Sequence, residues 1–283
     1  MVKELRERTG LGMMDCKKAL VEADGNMDLA IEELRKKSVL KAAKKAGRIT
    51  ANGLLGLQIS EDFSKGAIVE VNIETDFAAK NEKFIAFVAK VARALYEAEE
   101  DLVELMKSGL DHERESLVQE IGENISVRRA ERFLAPAGGC VASYLHSDNL
   151  KGSLVVLNNI NADLGRDIAM HITAINPMVI KSGDIPEETI SKEREIYLSQ
   201  AQESGKPENI VEKMVDGRIK KFLSEVSLVD QPFVKEPDKK ISDLLKEANS
   251  EIVSFCRFEV GEGIETKEED FAAEVAAQLK DSN

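Results

Sequence analysis

An internal repeat in the middle of the chain constrains its fold more than any other feature. Residues 52–72 align without a gap with residues 138–158, at an offset of 86 residues (138 − 52 = 86). Each copy reads as a strand, a turn and a second strand, so the chain carries a duplicated hairpin. Six positions are identical in the two copies: Gly53 with Gly139, Asp62 with Asp148, Lys65 with Lys151, Gly66 with Gly152, Val69 with Val155, and Asn72 with Asn158.

The segments that follow the two hairpins are also alike. Apolar residues at spacings of three and four predict a helix over 81–97 in the first copy and over 163–175 in the second. A third strand is predicted near the end of each copy, over 125–133 and 252–260. Because an isolated hairpin is only marginally stable, each copy is expected to form a three-stranded antiparallel sheet covered by helices. The predicted fold class is therefore α+β, with two related core subdomains.

The first 50 residues predict a three-helix unit followed by a basic linker. Two glycine-containing turns separate three helices, the third of them over 27–36. Residues 38–49 are rich in Ala and Lys and predict a charged linker helix. Met13 and Met14 are adjacent on the second helix, so both cannot face one core, and one of them is expected to point outward.

The second copy carries an insert between its helix and its third strand. Pro186 opens a predicted helix that reaches about residue 203, and residues 208–226 predict a second helix that returns beside it. Such a hairpin either projects from the body or folds over the sheet. Its two helices are expected to meet along a line of apolar residues: Ile190, Tyr197 and Ala201 on the first, and Ile210, Met214 and Phe222 on the second.

A terminal amphipathic helix is predicted over 267–279, where Phe271, Val275 and Leu279 recur every four residues. The chain thus divides into six predicted segments. They are an N-terminal three-helix domain and linker (1–50), a first core subdomain (51–136), the first part of a second core subdomain (137–179), the helical-hairpin or coiled-coil insert (180–226), the second part of the second subdomain (227–262), and a C-terminal helical module (263–283).

Composition excludes some classes of function. The formal net charge of −13 argues against a surface that binds duplex nucleic acid by neutralising phosphates. No apolar run approaches the ~20 residues that cross a bilayer, and neither a signal peptide nor a membrane anchor is visible. Cys16, Cys140 and Cys256 are scattered and odd in number, which is typical of reduced thiols in a cytosol.

The stretch from Gly66 to Lys80 holds the most suggestive local pattern. A strand of β-branched residues ends near Glu74, and Phe77 follows on the turn that leads to the next helix. An aromatic residue beside Asp76 at such a turn can be a wedge aimed at another molecule. The alternative is a capping turn, in which Thr75, Asp76 or Asn81 caps the helix and the ring folds back as a staple. The local pattern by itself favours the capping turn over the wedge.

A catalytic constellation is not visible in the sequence. Phosphate-binding loops, nucleophile elbows and zinc-protease motifs are missing, and no cofactor is expected. The three histidines, His112, His146 and His171, are expected to be solvated or structurally satisfied. Glu70, Glu74 and Asp76 could form a metal or acid/base site, but an acidic surface explains them more simply. A metal-using enzyme built on this cluster is one alternative, and a helical interaction scaffold is another.

Two stretches of the sequence stand out as motifs. The first, residues 8–20, reads RTGLGMMDCKKAL, and the second, residues 70–77, reads EVNIETDF. Further stretches of interest are residues 121–125, 168–171, 225–228, 231–233 and 257–264. Together these stretches resemble the bacterial elongation factor Ts family, and the similarity extends over essentially the whole chain.

This resemblance implies a guanine-nucleotide exchange factor for elongation factor Tu, with no catalysis of its own, in the cytoplasm. It implies an N-terminal domain of the ubiquitin-associated type, a duplicated core, a coiled-coil insert and a C-terminal helix. It implies no direct nucleic-acid or membrane partner, and it leaves open self-association through the helical hairpin. The residues implied to enter the partner's G domain and perturb its Mg²⁺ site are Thr75, Asp76, Phe77 and Ala78. The other contacts it implies are Arg6, Met13, Met14, His146 and Phe271.

Two departures from the family pattern are visible. Ala78 stands where the family usually has Val, which removes apolar volume beside Phe77. The chain also begins directly at its first helix, so the first turn of that helix is expected to be frayed or truncated.

Overall fold

The computed structural model of the protein describes residues 1–203 and 207–265, and it confirms the α+β class. The described helices are α1 (Val2–Thr9), α2 (Met13–Glu22), α3 (Met27–Lys45), α4 (Asp76–Ala79), α5 (Glu82–Glu97), α6 (Leu102–Leu105), α7 (Asp111–Ile121), α8 (Ala162–Ile175), α9 (Glu187–Gln202), α10 (Glu208–Val226) and α11 (Ile241–Glu247). The strands are β1 (Asn52–Ile59), β2 (Lys65–Ile73), β3 (Ile125–Leu134), β4 (Cys140–Leu145), β5 (Lys151–Leu157) and β6 (Ile252–Glu259).

The repeat builds two antiparallel sheets, in the orders β1-β2-β3 and β4-β5-β6. Their registers match at the offset seen in the sequence, because Leu54 pairs with Val71 as Cys140 pairs with Leu157. A β-bulge interrupts each sheet at the same place, directly after Glu70 in the first and after Val156 in the second. The two sheets therefore share both their topology and their irregularity.

The two sheets pack face to face, and helices cover their outer sides. The apolar layer between the sheets includes Leu55 and Ile68 from the first sheet and Val141 and Leu154 from the second. On the outer faces, α5 packs on β1 and β2, and α8 packs on β4 and β5. The core is a four-layer stack, so the central strand of each sheet is buried on both faces.

This stacking overturns one expectation. Glu70 and Asn72 alternate with apolar residues along β2, and an acidic surface was the simpler explanation of Glu70. Both side chains are instead fully buried, because the second sheet lies over the face of β2 that they occupy.

The N-terminal three-helix unit has its own small core, which includes Leu5, Cys16 and Leu34. Its first turn is formed, since the Leu5 N–H donates to the Met1 carbonyl at 2.8 Å. The third helix and the linker helix expected after it are one continuous helix, α3, because no glycine or proline interrupts residues 27–45. Met13 and Met14 are 58% and 73% exposed, so both point outward rather than one.

The N-terminal unit is held against the core through α3 and α7. Ser38 on α3 hydrogen-bonds to Gln119 on α7, and the Lys45 ammonium donates to the Gly122 carbonyl just beyond α7. Polar contacts therefore contribute to the attachment between the two parts.

The inserted hairpin consists of α9 and α10, which pack on each other. Ile190, Tyr197 and Ala201 meet the second helix as expected. On α10 the expected line of contact is wrong by one residue, because the residues that pack inward are Val211, Val215, Ile219 and Leu223. The terminal helix predicted over 267–279, including Phe271, lies outside the described residues.

Within residues 1–203 and 207–265, every helix is too short or too polar to cross a lipid bilayer.

Candidate functional site

The turn between β2 and α5 forms a short, well-anchored helix, α4. The Thr75 hydroxyl accepts a hydrogen bond from the Ala78 N–H at 3.2 Å, which caps the first turn. Glu123, before β3, accepts from the Thr75 N–H at 3.0 Å and from its hydroxyl at 2.8 Å. Asn81 then caps α5 by accepting from the Lys83 N–H at 2.9 Å. Two caps and one carboxylate therefore hold α4 in place.

Phe77 projects from this helix into solvent and is 82% exposed. The interpretation in which its ring folds back as a staple is therefore wrong. The Lys80 ammonium lies 5.5 Å from the ring centroid and 2.9 Å from an Asp76 carboxylate oxygen. The hydrogen bond from Lys80 lowers the pKa of Asp76 below its ordinary value. The exposed tip thus presents one aromatic ring beside an ionised carboxylate.

Ala78 lies on the opposite side of α4 from solvent. It is buried with Ala79 in the apolar cluster between the first sheet and the helices that cover it. Of the four residues predicted for this loop, Thr75, Asp76 and Phe77 are exposed and Ala78 is not. Ala78 therefore packs α4 against the core of the first half. The smaller side chain at this position changes the packing under α4 rather than the exposed surface beside Phe77.

The hairpin turn between β4 and β5 of the second sheet carries His146. Its Nδ1 lies 3.0 Å from a carboxylate oxygen of Asp148, and both side chains are about half exposed. Partial burial opposes ionisation of Asp148, but hydrogen bonds from the Leu150 N–H and from His146 outweigh it and lower the pKa of that carboxyl. This turn offers a second small polar surface.

A cavity of about 370 Å³ joins the two turns. Asp76 and Lys80 line it from α4, and Asp148 and Leu150 line it from the second hairpin. Apolar residues from β1, from α4 and from the chain just after β6 also line it: Leu54, Ala79 and Val260. The structure therefore brings the predicted loop of one half and the predicted turn of the other to one surface.

Sequence reasoning missed Lys80 and Asp148 as members of this surface. A signal existed for each of them. Lys80 stands four residues after Asp76, the spacing at which helical side chains pair. Asp148 repeats Asp62 in the duplicated hairpin.

The remaining predicted contacts lie elsewhere in the chain. Arg6 is exposed on α1, and the two adjacent methionines are exposed on α2. They belong to the helical unit rather than to the two turns. Phe271 lies outside the described residues.

The acidic cluster considered as a metal or acid/base site does not assemble. Glu70 is buried against two arginines, Glu74 lies 3.3 Å from an Arg48 guanidinium nitrogen, and Asp76 pairs with Lys80. In the part of the chain that the structure describes, no three His, Cys, Asp or Glu side chains are grouped so that they could hold a metal ion.

Comparison with known proteins shows which family the chain is similar to. The family model described as Elongation factor TS matches residues 74–262. Elongation factor Ts of Hahella chejuensis is 57% identical over 281 residues, which cover 99% of this chain and 97% of that protein. Elongation factor Ts of Marinobacter nauticus is 56% identical, with 98% of this chain and 95% of that protein covered. That of Saccharophagus degradans is 54% identical, with 99% and 96% covered. The chain belongs to the elongation factor Ts family.

Proposed function

We propose that this protein is a guanine-nucleotide exchange factor that binds elongation factor Tu with GDP bound and promotes GDP release during translation in the cytoplasm. The observation that carries the proposal is the exposed ring of Phe77 at the tip of a firmly capped helix. Burial of a large exposed apolar side chain against a partner is favourable and stabilises the complex. The fixed backbone keeps the ordering cost of that contact low.

The activity follows from linkage and needs no bond to be made or broken. A GTPase holds its nucleotide through backbone amides on the phosphates and through a Mg²⁺ ion that bridges protein and phosphate oxygens. A factor that binds the nucleotide-free form more tightly lowers nucleotide affinity by the same ratio. The factor is therefore not an enzyme in the bond-making sense, although it accelerates release.

The tip residues divide this work. Phe77 supplies an apolar wedge. The capped backbone of α4 holds the ring in place, so the partner rather than the ring must move when the two meet. Asp76 carries a negative charge, which disfavours nearby phosphate and competes for the cation that the phosphates need. Thr75 and Ala78 hold the wedge, the first as cap and the second as its buried seat.

The other predicted contacts extend this proposal. His146 with Asp148 would meet the partner beside the cavity, and Arg6, Met13 and Met14 would meet it from the helical unit. Unbranched, polarizable Met side chains suit such an adaptable surface. Phe271 would add a contact from the terminal segment. The helical hairpin would serve self-association.

The test is the release of fluorescent GDP from elongation factor Tu, with and without the protein. We expect the wild type to accelerate release, and Phe77→Ala to slow the stimulated rate at saturating factor while the fold is unchanged. Ile160→Ala is the matched control, because Ile160 is 72% exposed in the loop after β5 and outside this surface. Unchanged release with Phe77→Ala at saturation would falsify the wedge role.

A further inference from the structure

Glu70 is the one carboxylate among the described residues that is completely buried. It lies between the two sheets and accepts hydrogen bonds from the Asn72 amide at 2.9 Å and the Gly261 N–H at 2.8 Å. Arg128 contacts it at 3.1 Å and Arg129 at 2.5 Å. Burial opposes ionisation, but these donors outweigh it and lower the pKa of Glu70. The group is a fully satisfied buried anion.

The bulge in the first sheet makes this arrangement available. Neighbouring residues on a regular strand point to opposite faces, so two consecutive arginines could not both reach one carboxylate. Here Glu70 pairs with Arg129 while Val71 pairs with Val127, which leaves Arg128 as the extra residue. The bulge turns both guanidinium groups toward Glu70.

The second sheet shows that the fold does not require this charge. Its bulge lies at the equivalent place, and there Val156 stands where the first sheet has Glu70. Val253 and Ser254 stand where it has the two arginines. Val156 is buried in the apolar layer between the sheets. Apolar residues in place of a buried ion pair are often neutral or favourable for stability, so the charge in the first sheet calls for another reason.

The network reaches across to the turn that follows β6. The second Nη atom of Arg128 donates to the Glu262 carbonyl at 2.6 Å. Arg129 donates to the Glu259 carbonyl at 2.9 Å, and Arg257 holds the Glu262 carboxylate at 3.0 Å. The turn at 259–262 belongs to the second sheet, whereas Glu70, Arg128 and Arg129 belong to the first. The network therefore joins the two halves of the core.

The same turn forms part of the candidate site. Val260 lines the cavity between the two functional turns, and its N–H donates to the Leu150 carbonyl at 2.9 Å. Gly261 fits closely against the chain before β1, since a Cβ placed on it would lie 2.3 Å from the Ala51 carbonyl oxygen. Any rotation of one half against the other at this turn would change the cavity and the spacing of the turns that border it.

We propose that Glu70 is a positioning residue, whose buried carboxylate sets the angle between the two halves and so the distance between the Phe77 tip and the His146 turn. This proposal rests on the exchange function proposed above. It gives the buried charge a role other than stability, because the second sheet holds the place of Glu70 with the buried apolar side chain of Val156.

The repeat itself supplies the variant that tests this. Glu70→Val, Arg128→Val and Arg129→Ser together give the first sheet the residues that the second sheet has at the same places. We expect the triple variant to fold and to unfold cooperatively in urea, and to stimulate GDP release about tenfold less at saturating factor. Arg93→Ser is the control, because it removes one exposed positive charge and gives the same change in net charge.

The distance between the Phe77 tip and the His146 turn can be measured directly with spin labels. Glu82 stands at the start of α5, beside the tip, and Ser147 stands in the second hairpin turn, and both are exposed. Spin labels on Glu82→Cys and Ser147→Cys report the distance between the two turns. Cys16 and Cys140 are buried, and burial raises the pKa of the Cys256 thiol to about 12, so labelling is directed to the introduced positions.

The expected result is a broadened or displaced distance distribution in the triple variant, together with the loss of stimulation. A folded triple variant with an unchanged distance would overturn the positioning role. If the triple variant does not fold, Glu70→Gln in the labelled protein decides, since it removes the charge and keeps the shape. If the wild type does not stimulate release at all, the proposed function fails, and the distance measurement still decides whether Glu70 sets the angle.

Discussion

The backbone N–H of Leu55 donates to the carbonyl of Asn149 at 2.8 Å and so joins β1 of the first sheet to the hairpin turn of the second. A twin bond runs the other way, from the Val141 N–H to the Phe63 carbonyl at 2.7 Å. Both donors and both acceptors are related by the repeat offset of 86 residues. The two halves thus meet as subunits do in a two-fold symmetric dimer, each contributing the same contact.

Both acceptor residues adopt the left-handed conformation, with φ of +58° at Phe63 and at Asn149. Asn tolerates this region, whereas a β-branched residue does not. We expect Asn149→Val to lower the free energy of unfolding by about 1–2 kcal/mol, because the strain falls on the residue that holds the two halves together. Urea denaturation measures the change. Asn149→Gly is the control and should stay within about 1 kcal/mol of wild type; equal losses in the two variants would argue against backbone strain.

The sequence predicted the duplicated hairpin and a three-stranded antiparallel sheet in each half, because two segments that align without a gap are expected to fold alike. It did not predict which polar residues are buried. Glu70 and Asn72 alternate with apolar neighbours as on a half-exposed strand, and their burial comes from a second sheet that is distant in the sequence. Contacts between residues this far apart in the sequence produce no periodic pattern within either strand, so the sequence alone could not reveal this burial.

The helical hairpin shows the same limit at shorter range. Apolar residues stand at adjacent positions on α10, such as Ile210 and Val211, and both sets have helical spacing. In the structure Val211 packs in the core of the hairpin against α9, and Ile210 is exposed. For the candidate site, the exposure of Phe77 followed from the resemblance to a family, whereas the local pattern favoured a capping turn with the ring folded back.

Two helical glycines should respond to alanine in opposite directions. A Cβ on Gly165 of α8 would lie 2.5 Å from the Cβ of Ala142 on the strand below, so Gly165→Ala should cost about 1–3 kcal/mol of unfolding free energy. A Cβ on Gly217 of α10 meets nothing within 4 Å. Gly217→Ala should therefore stabilise by about 0.5–1 kcal/mol through helix propensity. Thermal or urea unfolding decides, and a stabilising Gly165→Ala would contradict the close packing of α8.

The cap of α4 should matter for both stability and exchange. Thr75→Ala removes the acceptor for the Ala78 N–H and the hydroxyl that donates to Glu123, so we expect a loss of about 1 kcal/mol. Because α4 carries the exposed ring, stimulated GDP release should fall as well. Thr75→Ser retains the hydroxyl and should keep most of both properties. If release is normal in Thr75→Ala despite the lost cap, the rigidity of the tip is not required.

Stability should also depend on pH through His171, a completely buried residue of α8. Its Nε2–H donates to the Gln231 side-chain oxygen at 2.9 Å, and its Nδ1 accepts from the Val234 N–H at 3.3 Å, so the neutral ring is satisfied. Burial lowers the pKa of His171 below 6.5, although the bond to Gln231 works in the opposite direction.

The sign of the effect follows from proton binding. Between the lowered folded pKa of His171 and the unfolded value near 6.5, the unfolded chain binds a proton that the folded chain does not. The contribution of the neutral His171 to the free energy of unfolding is therefore fully present above about pH 6.5. It is lost as pH drops, by up to about 1.4 kcal/mol per pH unit. Urea unfolding at pH 7.5 and 5.5 should show a larger loss for wild type than for His171→Gln, in which the other titrating groups are unchanged. Equal losses in the two proteins would mean that His171 accepts a proton in the folded state as readily as in the unfolded chain.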